Sequence, residues 1–258
     1  RDALITACKV HSTLVHSVND KIMFKKSFST QVAEVSLLEG VLNEQSISEI
    51  LPVVMLQLYI NPCLHLFVSP ALILFSFWPA KTLFNGSVHD AYSYINEVFK
   101  CEFVTLNNVD EQDIYNEALV FLRDTECIDA KTGELGPNNK VRLILQHLLQ
   151  PFITGYSIVA HTLLEMSVQS VRGTQDTILI YSQKIARNLL AKRLIHPYCL
   201  SRDMLKNALE SFRLLNFITK NVSNTEIQYL PNEKQLLRLI SVFDTSEINN
   251  KKEPKCRL

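Results

Sequence analysis

The chain has 258 residues, of which 47% are hydrophobic, and its 26 basic residues balance its 26 acidic residues. A net charge of zero excludes an overall field that would attract nucleic acid or anionic lipid, so such a partner would need a local patch. The six cysteines lie far apart, without a C-x-x-C pair or a histidine cluster. This pattern argues against a disulfide scaffold, a zinc site or a thioredoxin-like motif, and free thiols in a reducing compartment are the simplest interpretation.

Apolar residues recur mostly at helical spacing, which predicts a mainly α protein, a multi-helix assembly with small β-hairpins. The predicted helices cover residues 4–15, 32–42, 88–99, 109–123, 141–166, 174–193, 204–215 and 233–243. Ser87 and Ser201 are the expected N-caps of two of them. Pro151 is expected to bend or restart the helix over residues 141–166. A strand-like run follows the first helix at residues 21–26.

Two further strands are predicted near the C-terminus, over residues 216–221 and 226–231, and they would form a hairpin. With the flanking helices, this hairpin makes the C-terminal part resemble a winged helix. The resemblance is one of fold only and predicts no nucleic-acid partner, because the hairpin carries a single lysine, Lys220, and no arginine.

Residues 50–80 contain no Asp, Glu, Lys or Arg. This length exceeds the roughly 20 apolar residues that a membrane helix needs. The prolines at positions 52, 62, 70 and 79 are expected to cut the segment into pieces too short to cross a bilayer. No other segment is judged apolar enough to pack beside it in a membrane. Three alternatives stay open: a buried core or hinge, a surface embedded in the membrane interface, and a true span.

Loops divide the chain into a helical region at 1–130 that includes the uncharged segment, a loop at 131–140 rich in turn residues, and a second helical region at 141–245. The remaining residues, 246–258, are polar and are expected to form a flexible tail. The tail ends in Cys256-Arg257-Leu258, a conservative variant of the S-K-L peroxisomal address. The sequence therefore predicts an import receptor as a partner and a peroxisomal location.

Catalytic patterns are scarce. None of the seven histidines has an aspartate five positions on, and no glycine-rich phosphate loop or G-x-S-x-G motif occurs. His161 and Glu165 are one helical turn apart, but such pairs are common on helix surfaces. His65 is more easily explained as a core histidine than as a ligand. The cations at positions 184, 187, 192 and 193 are interpreted either as a solvated face or as a contact for an acidic surface or lipid headgroups.

A spaced motif in the uncharged segment resembles a known family. It reads Y-x-N-x-x-x-H-x-x-V-x-P-x-L and consists of Tyr59, Asn61, His65, Val68, Pro70 and Leu72. This motif is similar to the segment that follows the catalytic domain in glycerol-3-phosphate and dihydroxyacetone-phosphate acyltransferases. The runs LQHLLQPFITGY (145–156) and YSQKIARNLLAKRLI (181–195) resemble later helices of that family. One departure is Ile60, where the family usually has a basic residue.

The resemblance implies that this chain is the C-terminal, non-catalytic, helical part of an acyltransferase. In the family, an H-x-x-x-x-D motif in an upstream domain carries the acyl transfer, so that domain, acyl-CoA as co-substrate and dihydroxyacetone phosphate or glycerol 3-phosphate are implied partners. No cofactor is implied, and this chain alone is expected to be inactive. The C-R-L ending favours the peroxisomal, dihydroxyacetone-phosphate branch, peripheral on the membrane. Tyr59, Asn61, His65, Phe67 and Pro70 are the candidates for contact with the upstream domain or the membrane surface.

Two other classes stay open. The chain would be a stand-alone helical module that binds a membrane or another protein without catalysis, or an enzyme that uses His65 or His161 in an unrecognised site.

Overall fold

The structure is a computed structural model. It describes the backbone of residues 15–18, 21–24, 44–103, 110–137, 139–169, 173–222 and 227–244, and within these ranges the side chains of residues 64–221 and 227–244. The chain divides into two compact units, Arg1–Pro62 and Cys63–Leu258.

The first unit contains a short antiparallel hairpin. Strand β1 (Val15–Val18) pairs with β2 (Lys21–Phe24), with Val15 opposite Phe24. The strand-like run predicted after the first helix is therefore confirmed. The unit also contains the beginning of helix α1 (Glu44–Leu83), within which the division between the units falls. The helix predicted over residues 32–42 lies outside the described residues, as does nearly all of the one predicted over residues 4–15.

The second unit is mainly helical, which confirms the predicted fold class. After α1 it contains α2 (Val88–Val98), α3 (Glu111–Asp124), α4 (Lys140–Val168), α5 (Gln175–Ala191), a 3-10 turn (Pro197–Leu200), α6 (Arg202–Leu214), β3 (Ile218–Val222), β4 (Ile227–Pro231) and α7 (Glu233–Asp244). Strands β3 and β4 form the predicted antiparallel hairpin, with Lys220 opposite Tyr229. The order of α6, hairpin and α7 is the one expected for a winged-helix-like part.

Short polar side chains begin most of these helices. The Ser87 hydroxyl accepts a hydrogen bond from a backbone N–H of the first turn of α2, and Ser201 does the same for α6. Asp110 and Asn139 cap α3 and α4 in the same way. Each cap satisfies one of the backbone donors that a helix leaves without an internal partner. The two predicted caps are thus confirmed.

The expectation that prolines cut the uncharged segment is wrong, because α1 is a single helix from Glu44 to Leu83. A proline inside a helix removes one hydrogen bond and costs about 3 kcal/mol. Burial of one leucine or isoleucine contributes about 1.5–3 kcal/mol. The four residues after Pro70 are almost fully buried, and Pro79 is buried as well. The burial of these side chains therefore stabilises α1 by more than its prolines destabilise it.

Helix α4 likewise continues through its proline. Pro151 lies inside the single helix Lys140–Val168, so the predicted bend or restart does not interrupt it.

The view that no second segment is apolar enough for a membrane is also wrong. By length and composition both Leu64–Leu83 and α4 could cross one, although 61% and 56% of their most apolar stretches are buried inside the protein. A core helix of a soluble protein has the same properties.

Helix α4 is the centre of the second unit and packs against α5, α6, α7, β4 and the 3-10 turn. Aromatic rings join these elements. Phe99, just after α2, lies 4.7 Å from Tyr156 of α4 and 5.9 Å from Phe243 of α7, between ring centres. Phe75 of α1 lies 6.3 Å from Phe243. The core therefore connects α1, α2, α4 and α7 through large buried side chains.

The predicted loop at 131–140 lies within the unit Cys63–Leu258 and is held by its own hydrogen bonds. The Asp129 carboxylate accepts from the backbone N–H of Lys131 and Thr132, which lowers its pKa. Arg142 of α4 donates from Nη1 to the Gly136 carbonyl at 2.7 Å. The domain limits inferred from the sequence stay predictions.

Candidate functional site

The outer side of α1 contains part of the predicted contact surface. The candidates are Tyr59, Asn61, His65, Phe67 and Pro70. His65 and Phe67 are exposed, whereas Pro70 is buried. The Phe67 ring still touches α3, where the Phe121 ring lies 6.4 Å away in an edge arrangement. Tyr59 and Asn61 belong to α1, but their side chains lie outside the described residues. That this surface binds an upstream domain or a membrane stays a prediction.

A crevice of about 10 Å³ lies between α1 and α4. Its lining residues are Ala71, Leu74, Phe75 and Trp78 on α1 with Gln146 and Leu149 on α4. Such a volume holds about one water molecule. The crevice is therefore a packing gap between two apolar helices and is far too small to hold a fatty acyl chain.

A polar cluster lies inside the second unit, where the chain leaves α2. Glu102 is partly buried, and its Oε2 accepts a hydrogen bond from Nδ2 of Asn207 on α6 at 3.1 Å. The fully buried Tyr156 hydroxyl of α4 lies near the same carboxyl and makes no hydrogen bond of normal geometry among the described residues. Nearby, the Ser211 hydroxyl of α6 donates to the Val98 carbonyl. The cluster connects three helices through polar groups in an otherwise apolar core.

Burial changes the ionisation of this cluster. Removal from water raises the pKa of Glu102 to about 7, against the lowering effects of Asn207 and Tyr156 and with a small raising effect from Asp203. Burial, and then the nearby Glu102 charge, raises the pKa of Tyr156 well above its ordinary value. A carboxyl that titrates near neutrality is a common feature of catalytic sites, but structural polar networks show it too. Because the hydrogen bond between Glu102 and Asn207 joins the chain after α2 to α6, we interpret the cluster as structural.

The pair singled out as a possible acid and base lies on the surface. His161 and Glu165 are both exposed on α4, and Glu165 Oε1 accepts from Nε2 of Gln169 at 3.3 Å. An exposed pair cannot exclude water from a reaction, which fits the interpretation as an ordinary helix surface. Among the residues that the structure describes, no three His, Cys, Asp or Glu side chains converge on a point that could bind a metal ion.

The remaining predicted site residues are the targeting tripeptide Cys256-Arg257-Leu258, which lies outside the described residues. Sequence reasoning missed the Glu102 cluster. Its members are separated by about 50 to 100 positions along the chain and belong to no short motif, so only the fold brings them together.

Comparison with known proteins gives one family and several relatives. Residues 16–221 match the family described as the glycerol-3-phosphate acyltransferase C-terminal region. The dihydroxyacetone phosphate acyltransferase of Bos taurus is 24% identical over 234 residues, which is 89% of this chain and 33% of the relative. That of Mus musculus is 25% identical over 228 residues, covering 86% of this chain and 32% of the relative.

The enzyme of the same name from Oryctolagus cuniculus is 23% identical over 89% of this chain. The chain thus spans about a third of the length of the curated relatives that it matches. Because the family match covers well over half of the chain, this protein belongs to the glycerol-3-phosphate acyltransferase C-terminal region family.

Proposed function

We propose that this chain is the C-terminal, non-catalytic part of an acyl-CoA-dependent O-acyltransferase that acylates dihydroxyacetone phosphate. The family match over residues 16–221 is the observation that carries the proposal, and the relatives' shared name favours dihydroxyacetone phosphate over glycerol 3-phosphate as the acceptor. The product would enter phospholipid and ether-lipid synthesis.

The chemistry of acyl transfer supports the assignment of catalysis to an upstream domain. Attack by a substrate hydroxyl on a thioester needs a general base within hydrogen-bond reach and a donor for the developing oxyanion. The resemblance assigns these groups to an H-x-x-x-x-D motif in an upstream domain, and this chain has no such motif. In this proposal, the present chain is inactive alone, uses no cofactor, and supports the catalytic domain that binds acyl-CoA and dihydroxyacetone phosphate.

The proposal includes a location. The Cys256-Arg257-Leu258 ending would be read by the peroxisomal import receptor, and the parent enzyme would lie peripherally on the membrane where its lipid product partitions. A reporter protein that carries the last twelve residues should enter peroxisomes. Deletion of Leu258 should abolish the import, because the receptor reads the terminal leucine with its carboxylate. Import that survives this deletion would contradict the assignment.

A stand-alone helical module without catalysis is the second candidate. The observation in its favour is that Cys63–Leu258 forms a compact unit with its own buried core. Such a unit could bind a membrane or a protein without an enzyme attached.

One purification distinguishes these candidates. An antibody to residues 231–258 would isolate the native protein, whose mass and acyl transfer from acyl-CoA to dihydroxyacetone phosphate are then measured. We expect an active species far above the 29.5 kDa of this chain, and no activity from the recombinant chain alone. A native species near 29.5 kDa without activity would support the module. Activity of the recombinant chain that disappears in His65→Ala or His161→Ala would overturn the non-catalytic assignment.

A further inference from the structure

The exposed side of α5 is rich in cations. No Asp or Glu occurs between residues 177 and 201, although the whole chain contains 26 acidic residues. At about 100° per residue, Lys184, Arg187 and Lys192 fall within an arc of about 140°, together with Ile180 and Tyr181. We call this set, with Arg193 and Leu194 directly after the helix, the basic face of α5.

Packing fixes the orientation of the helix. The opposite side of α5 is buried and consists of Ile178, Leu179, Ser182, Gln183 and Ala186. The Ser182 hydroxyl donates to Oγ1 of Thr162 on α4 at 3.1 Å, and Gln183 Nε2 donates to the Leu200 carbonyl at 3.1 Å. Because these contacts hold the buried side against the core, the basic face points away from the core of the unit Cys63–Leu258.

Apolar side chains are exposed on the same face. Ile180 and Tyr181 are each more than a third exposed, and Leu194 is 67% exposed. The Lys184 ammonium lies 5.6 Å from the centre of the Tyr181 ring, so the cation and the ring are presented together. Arg193 adopts a left-handed conformation with φ of 57°, which turns the chain just after Lys192, the C-cap of α5.

The acidic residue nearest the start of α5 is already paired. Asp176 contacts the Arg202 guanidinium at 2.6 Å, so its charge is balanced from α6. Asp176 therefore does not offset the cations of the basic face.

We propose that the basic face of α5 docks on an anionic lipid surface. Lysines and arginines near such a surface attract acidic headgroups, while aromatic and aliphatic side chains enter the headgroup boundary. This mixture is the one that Lys184, Lys192, Tyr181 and Leu194 present. Single exposed leucines are common on protein surfaces, but here Leu194 belongs to the same face as Ile180, Tyr181 and the cations. A nucleic acid offers no apolar layer to receive these side chains. The proposal specifies a surface for the peripheral membrane location proposed above, and it does not depend on the acyltransferase assignment.

Vesicle co-sedimentation of the intact chain tests the proposal. We expect binding to phosphatidylcholine vesicles that contain phosphatidylserine, weaker binding to phosphatidylcholine alone, and a decline with added salt. The double variant Lys184→Gln/Lys192→Gln removes two cations and should weaken binding roughly thirtyfold. The double variant Lys131→Gln/Lys140→Gln makes the same change in net charge at the loop before α4, and should bind within about twofold of the parent. Thermal unfolding of each variant verifies that the fold is kept.

The apolar contribution has its own control. Leu194→Ser should reduce the binding that remains at high salt, because that part depends on apolar insertion. Val120→Ser changes a similarly exposed residue on α3 and should leave the vesicle binding at high salt unchanged.

Three results would overturn the proposal: no binding to the acidic vesicles, equal loss in both lysine pairs, or full binding after Lys184→Gln/Lys192→Gln. The second would indicate non-specific charge attraction. The third would point to another surface, such as the outer side of α1.

Discussion

The Leu64–Leu83 part of α1 and helix α4 are alike in apolar composition, but the contacts of their polar side chains differ. In α4 several polar or small residues meet a specific partner on another element: Thr162 meets Ser182 of α5, and the Pro151 carbonyl meets the Cys199 thiol at 3.4 Å. In the Leu64–Leu83 part of α1, the Ser76 hydroxyl donates to the Leu72 carbonyl of its own helix, and Ser69 makes a side-chain hydrogen bond with Tyr92 of α2. Hydropathy measures composition alone, whereas partner-specific contacts identify a core helix.

The largest expected effect separates the two helices directly. Phe152 of α4 is 1% exposed, and its ring lies 4.9 Å from Phe103 and 5.5 Å from Tyr198. Phe152→Ala should lower the free energy of unfolding by about 3–5 kcal/mol, because it removes a buried ring and leaves a cavity. Phe67→Ala on α1 is the matched control, and since Phe67 is 39% exposed, it should cost about 1 kcal/mol. Denaturant unfolding measures both.

An equal loss in these two variants would mean that the exposed side of α1 is packed in solution. In that case α1 would be buried on both of its sides, as a core helix is, and it would not differ from α4 in this respect.

Local signals in the sequence predicted much of the fold. Ser87 and Ser201 identified helix starts because capping acts within one turn. Likewise, the β3–β4 hairpin followed from alternating apolar residues around a short connection. The proline rule failed at α1 because a local cost of a few kcal/mol competes with the burial of many side chains, and burial depends on partners that the local sequence does not reveal.

The candidate site was less predictable. The resemblance identified the family, which the comparisons confirm, but it rested on apolar spacings. His65 and Phe67 were candidates from the sequence, but neither the single helix α1 that contains them nor the burial of Pro70 was predicted. The pairing of Glu102 with Asn207 needs α2 and α6 to meet, and no local pattern encodes that contact.

The second prediction concerns the buried side of α4, near Tyr156. Burial raises the pKa of Glu102 from 4.5 to about 7, so the folded protein binds this proton more tightly than the unfolded chain. The contribution of this group to stability is therefore greatest below pH 4.5 and falls as pH rises toward 7. The fall amounts to roughly 3 kcal/mol. Glu102→Gln keeps an oxygen for Asn207 but cannot ionise, and should remove this pH dependence.

Unfolding free energies between pH 4.5 and 8 measure the effect, with Glu165→Gln as the control. Glu165 lies exposed on α4, the helix that contains Tyr156, so its variant should keep the slope of the parent protein. If both variants show the same pH dependence of unfolding free energy as the parent, Glu102 is solvated in solution, and water reaches the side of α4 that the structure shows as buried.

The third prediction has the smallest effect and tests why a glycine lies inside α4. A Cβ at position 155 would be 2.3 Å from Cε and 2.9 Å from Sδ of Met204, a buried residue of α6. Overpacking lowers the free energy of unfolding by about 1–3 kcal/mol, and the higher helix propensity of alanine raises it by about 1 kcal/mol. Because the tip of methionine is flexible, Gly155→Ala should destabilise the protein by a net amount of only about 1 kcal/mol.

The sign of this effect should reverse when the partner is shortened. Met204→Val removes the two atoms that the new methyl group would meet, so in that background Gly155→Ala should stabilise the helix by about 1 kcal/mol. A double-mutant cycle on the free energy of unfolding gives the coupling between the two positions. If Gly155→Ala is stabilising in both backgrounds, α4 and α6 do not approach this closely, and α4 loses one of the close contacts that mark it as the centre of the second unit.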